Sequence, residues 1–352
     1  MYHKQSISWK GAMAAMLLVS GWMSCTKVPA EMDYLSEKAN FNRDNFDPVM
    51  GRTMIYQGIF NSDQSTRPLL FTLTNFRHAA DSSAAPELGT LVKVKEWKEA
   101  YTGKENSLQE IYDKQQEAEH PVLDIRKNSG EIIFWQFSDT NLIKPQPGAG
   151  YLFDIKVENN GNSRVFKNNT LNLFRPRAYS PSDNIDAVSG WQKYKSDGSP
   201  VVINPTNTSG VTMDNKLITD TSVAVYFHKK GNGNSLSFKF YDKDSTVINP
   251  LMFNKTRWDS LYFYNSRVQG DCKIGFNLRV TETGVTYDVP YPYPAVGAAQ
   301  GERVKLVFNY NRLAFGNRRV TEGFTFEFAI FEPGDWEIIF KYRHQTPKFE
   351  ND

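Results

Sequence analysis

Four histidines follow residue 24 of this 352-residue chain: His78, His120, His228 and His344. They are scattered, with no HExxH, no pair at helical spacing and no cysteine beside them. Neither a zinc site nor a hydrolase triad is written in them. Two carboxylates that flank a glycosidic bond need only be close in space, and 39 Asp and Glu supply accidental pairs in any fold. Asp242-Lys243-Asp244-Ser245 alternates oxygen ligands as calcium sites do, yet it lacks the Gly and the terminal Glu of an EF-hand loop. A turn with solvated carboxylates is the simpler reading. Cys272, between Asp271 and Lys273, has no histidine partner and reads as a structural thiol. The pattern therefore names no catalytic residue, no metal ligand and no cofactor.

The aromatic residues remain. Trp258, Tyr262 and Tyr264 stand at i, i+4 and i+6, which in a strand projects all three rings to one face. Trp191 and Tyr194 lie in a polar stretch where a place in the core is less automatic. A flat exposed ring covers the apolar C–H face of a sugar while nearby amides and carboxylates bond its hydroxyls. These five residues form the candidate ligand-binding set. The competing reading is that the rings pack in a core or between domains, as most large aromatics do.

Cys25 carries a different chemistry. Residues 1–24 present Lys4 and Lys10, then an uncharged run of 14 residues from Gly11, then Ser24 directly before Cys25. That order is a signal peptide, and its apolar run is shorter than the roughly 20 residues a spanning helix needs. Cys25 sits where a lipoprotein signal peptidase leaves its cysteine for lipidation, although Trp22 replaces the usual Leu of the lipobox. Several acyl chains on one terminus hold a protein stably on a membrane. With Cys25 lipidated, Cys272 has no partner for an intrachain disulfide, and core burial must supply the stability. The formal charge of +2 belongs to the leader: without Lys4 and Lys10 the chain has 39 basic and 39 acidic residues. A balanced charge excludes nucleic acid as the expected partner.

The elements that must position these residues are mainly strands. Residues 25–49 are polar and aperiodic and read as a flexible tether. Residues 50–175 read as a β-rich domain, with Thr53–Phe60 and Pro68–Phe76 as a first antiparallel pair. One helix is expected over 107–119, opened by a Ser107-Leu-Gln-Glu110 capping box and stopped by Pro121. Tyr151–Glu158 and Ser163–Phe166 flank Asn159-Asn160-Gly161-Asn162, a sequence suited to the positive φ of a tight hairpin. Residues 176–216, rich in Pro, Ser, Asn and Gly, read as a linker or long loop. Residues 217–352 are almost wholly β, ending in a pair expected to turn at Glu332-Pro333-Gly334-Asp335. The fold class is mainly β: two β-sandwich-like domains of immunoglobulin or jelly-roll type, with one short helix in the first.

Several stretches resemble a Bacteroidetes-type family of exported lipoproteins built on a domain of unknown function. They are Gly51-Arg52-Thr53 with Tyr56-Gln57-Gly58, Trp97 with Tyr101-Thr102-Gly103-Lys104-Glu105, Gly150-Tyr151-Leu152-Phe153-Asp154, Asn249-Pro250 with Phe253-Asn254 and Trp258, and the ending Trp336-Glu337-Ile338 with Pro347 to Asp352. The resemblance spans nearly all of the chain after the leader and carries no catalytic residues. It implies an accessory protein of starch-utilisation-like outer-membrane import systems, which points to surface glycan capture. The expected protein is thus an outer-membrane or cell-surface lipoprotein, held by lipid on Cys25, that binds a glycan or other nutrient beside a transporter. A structural or adhesive lipoprotein with protein partners is the alternative, and a glycosidase or esterase ranks last. A secreted or periplasmic location would follow if Cys25 were not acylated.

Overall fold

The structure is a computed structural model that describes residues 33–352. The expected leader, Cys25 and the first part of the expected tether lie outside the described residues. The chain is mainly β and forms two lobes, each around its own apolar core.

In the first lobe a four-stranded sheet runs in the order Asn45–Phe46, Ser163–Leu171, Tyr151–Glu158, Leu70–His78. A three-stranded sheet of Met54–Tyr56, Ile132–Phe134 and Leu123–Ile125 shares its core. Alternation along Tyr151–Glu158 aims Phe153, Ile155 and Val157 inward, against Phe46, Phe71 and Phe134. The expected hairpin at 159–162 is present, but its turn is held by the Asn159 side chain instead of a positive φ. Asn159 Oδ1 accepts from the amides of Gly161 (3.1 Å) and Asn162 (2.9 Å).

Four expectations for this half of the chain need correction. The described part of the 25–49 segment is not a tether: Phe41, Phe46 and Val49 pack into or beside the core, and Asn45–Phe46 pairs in parallel with Thr170–Leu171. Its polarity hid these few apolar anchors. Thr53–Phe60 and Pro68–Phe76 do not pair with each other, because each finds a later strand instead. The helix expected over 107–119 spans only Leu108–Asp113. Its cap forms as expected at Ser107, whose hydroxyl accepts from Glu110 N at 3.2 Å, while Glu110 Oε2 accepts from Asn106 N and not from Ser107 N. Beyond Asp113 the sequence QQEAEHP offers only Ala118 to an apolar stripe. It pairs instead with Leu91–Trp97, setting Glu119 opposite Lys93 and Glu117 opposite Lys95. Cross-strand opposite charges stabilise a ladder that a helix of this composition could not match.

The second lobe is sandwich-like. Its five-stranded sheet runs Val223–Gly231, Asp335–Tyr342, Ser235–Tyr241, Gly284–Asp288, Phe276–Thr281. Facing it is the long hairpin of Val304–Ala314 and Arg318–Ile330. Phe308, Phe324 and Phe326 from the hairpin meet Phe238, Phe240 and Phe340 from the sheet, with ring centroids of Phe240 and Phe340 5.3 Å apart. The ending strand pair expected to turn at Glu332–Asp335 does not form here. Asp335–Tyr342 inserts between Val223–Gly231 and Ser235–Tyr241, antiparallel to the first and parallel to the second. Glu332-Pro333-Gly334-Asp335 therefore carries the chain from one sheet to the other. Asp335 fixes the crossing by accepting from Gly233 N at 3.0 Å and from the Ser235 amide and hydroxyl.

The 176–216 segment is also not a free linker. Tyr179–Ser180 and Thr206–Ser209 pair with Arg318–Ile330, and Ile203 is buried against the second core. Between them, residues 185–200 form an exposed excursion closed by two isolated bridges. The lobes meet through the first lobe's 101–111 segment. Tyr101 packs on the second core with its hydroxyl beside the Cys272 thiol, and Gly103, at φ +76°, lies against the same sulfur.

Candidate functional site

The five aromatic residues separate in the fold. Trp258 opens a 3-10 turn (Trp258–Ser260), so it does not share a strand with the tyrosines. It is buried, stacked on Phe308 at 5.6 Å, and its backbone carbonyl accepts from the Tyr287 hydroxyl. Trp258 is a core residue, which corrects its place in the ligand-binding set. Phe240 and Phe308 pack against its ring and exclude water, and nothing in the local sequence displayed them.

Tyr262 and Tyr264 lie on the short strand Tyr262–Asn265, paired with Gly270–Lys273. Burial alternates along it: Phe263 and Asn265 point inward, while the two tyrosines are 47% and 60% exposed on one face. They line an open groove of about 490 Å³ whose other walls include Arg303, Lys305 and Glu327. Lys305 and Glu327 pair across the groove floor at 3.3 Å. Side chains two residues apart on one strand face sit about 7 Å apart, the scale of one sugar ring beside the next. Trp191 and Tyr194 are more exposed, at 76% and 66%, on the 185–200 excursion, and they line neither this groove nor the cleft described next.

The second opening was not signalled by the aromatic pattern. A cleft of about 520 Å³ lies between the lobes and is lined by Arg52, Tyr56 and Gln57 from the first, and by Arg267, Gln300 and Arg303 from the second. Gly301 and Arg303 line both openings, so cleft and groove adjoin. Arg52 stacks over the Phe331 ring at 3.7 Å, and its Nε is buried without a hydrogen-bond partner. Burial, and then the neighbouring Arg177 charge, lower the Arg52 guanidinium to about 9, which leaves it charged at neutral pH. Burial pushes the Tyr56 hydroxyl up to about 12, so it stays a protonated donor. The only sequence signal was that Arg52 is the sole charge among residues 49–57.

Elsewhere the titratable side chains satisfy one another. His120 stacks on Trp135 at 4.2 Å, and its two ring nitrogens face Glu96 (3.1 Å) and Asp124 (3.4 Å). Asp242 Oδ1 accepts from the amides of Asp244 and Thr246, the turn expected for that stretch. Cys272 is buried and unpaired with another cysteine, and desolvation raises its thiol above the usual value. Among the described residues no group of three His, Cys, Asp or Glu is placed to hold a metal ion.

Fold and openings define a mainly β protein of two packed lobes with two adjoining open grooves lined by tyrosine and arginine. The chain matches, over residues 60–351, the family model described as a domain of unknown function (DUF5007), and it belongs to that family. No curated protein matches the chain in sequence.

Proposed function

We propose that the protein is a non-catalytic glycan-binding lipoprotein of the outer membrane or cell surface that captures a polysaccharide for a neighbouring transporter. The observation that carries this reading is the pair Tyr262 and Tyr264, exposed on one strand face above a polar groove. Two exposed rings on one strand face with Lys305, Arg303 and Glu327 around them supply the two halves of sugar recognition: apolar faces for C–H groups, and polar tips for hydroxyls. The lipobox-like Cys25 and the resemblance to exported lipoproteins support the location.

Calorimetric titration of the full chain against a polysaccharide panel tests the binding. About 50 Å² of ring face covered per tyrosine, at ~25 cal/mol per Å², amounts to roughly tenfold in affinity per ring. The Tyr262→Ala/Tyr264→Ala variant is expected to lose binding while its melting temperature stays within about 2 °C of the parent. No affinity for any polysaccharide, or full affinity in the variant, would overturn the reading. For the anchor, Cys25→Ala is expected to abolish incorporation of labelled fatty acid, and unchanged incorporation would refute lipidation there.

The adhesive alternative is favoured by one feature. Phe315, at the tip of the long hairpin, is 92% exposed, a position suited to a partner protein. Loss of a co-purifying protein in Phe315→Ala, with no sugar affinity in the parent, would favour that reading.

A further inference from the structure

No arginine lining the interlobe cleft forms an ion pair, although Glu302 and Glu327 line the adjoining groove that shares Arg303. The described arginines that do pair with carboxylates are Arg77, Arg126, Arg279 and Arg312, and none of these lines the cleft. No Asp or Glu lines it either. Arg52 is held there by Phe331 beneath its plane, with a buried, unbonded Nε and Arg177 as a second cation nearby. Arg177 likewise keeps a buried Nε without a partner. Burying guanidinium groups beside one another opposes folding unless an anion joins them. Arg267 and Arg303 on the opposite wall are exposed, so the cleft presents cations from both lobes to an open space.

We propose that this cleft binds the anionic group of an acidic glycan, a uronate carboxylate or a sulfate ester, whose neighbouring sugar rings lie across Tyr262 and Tyr264. This rests on the glycan-binding reading above and names the class of glycan. The two openings adjoin at Gly301 and Arg303, which places the cleft within reach of a chain lying on the tyrosines. Planar guanidinium groups match the paired oxygens of carboxylate and sulfate in two-point hydrogen bonds. Arg303, shared by both openings, would contact the anion and the ring beside it. The mature chain's balanced charge makes this local excess a built feature of one cleft, not a general cationic surface.

The test titrates the full chain with polygalacturonate and its methyl ester, and with dextran sulfate and dextran, in buffer of fixed ionic strength. Each acidic polymer in the series that binds is expected to do so at least about tenfold more tightly than its neutral counterpart. Carboxylate and sulfate are separated by which acidic polymer gains. Arg267→Gln, at an exposed position outside the tyrosine groove, should remove most of that preference and leave affinity for the neutral polymer unchanged. Arg52→Gln should act in the same direction, and should raise the melting temperature of the ligand-free protein by relieving the clustered charge. Equal affinity for acidic and neutral polymers overturns this inference and leaves the glycan reading standing. Affinity for none of the four polymers, with a neutral polysaccharide bound elsewhere in a panel, also overturns it. Equally tight, arginine-dependent binding of inorganic polyphosphate, which has no sugar ring, would overturn the glycan class and assign the cleft to polyanions at large.

Discussion

One of the contacts between the two lobes, the 101–111 segment against Cys272, is braced by an ion pair, and cutting it gives the most informative perturbation. Glu105 is 5% exposed and accepts at Oε1 from the Thr102 amide and hydroxyl, both at 2.9 Å, and from Lys114 Nζ at 2.5 Å. Lys114 also donates to the Ala100 carbonyl, so the pair closes the 100–114 segment that carries Tyr101 and Gly103 onto Cys272. Burial by itself would raise the Glu105 carboxyl. The Lys114 ammonium and the Thr102 donors outweigh it and hold the group at about 2, against an ordinary 4.5. At roughly 1.4 kcal/mol per pH unit, this amounts to about 3 kcal/mol of stability. Because the folded value is depressed, that stability is fully present above about pH 4.5 and is lost as pH falls toward 2.

Lys114→Met keeps the length of the side chain and removes its charge, leaving a buried carboxylate with only the Thr102 donors. The expected loss at pH 7 is about 2–4 kcal/mol. The gap between variant and parent should narrow below about pH 5, because the orphaned Glu105 takes up a proton at a higher pH than in the parent. Urea unfolding of both proteins, followed by tryptophan fluorescence at pH 7, 5 and 3.5, reads this directly, and a double-mutant cycle with Glu105→Gln isolates the coupling. Curves that run parallel at all three pH values, separated by less than about 1 kcal/mol, would refute the reasoning. The same variant bears on function: loosening this segment should weaken any ligand whose site needs walls from both lobes.

Three further predictions follow from packing. Gly103→Ala places a Cβ 2.5 Å from Cys272 Sγ at a φ of +76°, so a loss of about 2 kcal/mol or more is expected in chemical denaturation. Phe340→Ala opens a cavity among fully buried rings and should cost about 3–5 kcal/mol, whereas Phe315→Ala at the exposed hairpin tip should fall within about 0.5 kcal/mol of the parent. Asp335→Ala removes three hydrogen bonds that pin the 231–235 loop at the sheet crossover. It should lower stability by about 2 kcal/mol and speed hydrogen exchange at Gly233 and Ser235 before it does so elsewhere.

Much of this protein is readable from its sequence because much of it is local. Strict alternation at Tyr151–Glu158 and Trp336–Tyr342, the Asn159–Asn162 turn and the Ser107 cap each depend on residues within a few positions of one another, and each appears in the fold. So does the turn at Asp242, whose side chain bonds its own neighbours. What the tertiary structure decided is everything that depends on which distant segment arrives. Asp335–Tyr342 fits between two strands some hundred residues earlier because its buried face completes the phenylalanine core there, and turn chemistry holds no record of that. Trp258 and Tyr262 differ by four positions and look alike as rings, yet Phe308 and Phe240 cover one and leave the other in solvent. The arginine cleft is the extreme case. Arg52, Arg267 and Arg303 are unremarkable apart, and they acquire a shared electrostatic meaning only when two lobes bring them around one space that no carboxylate lines.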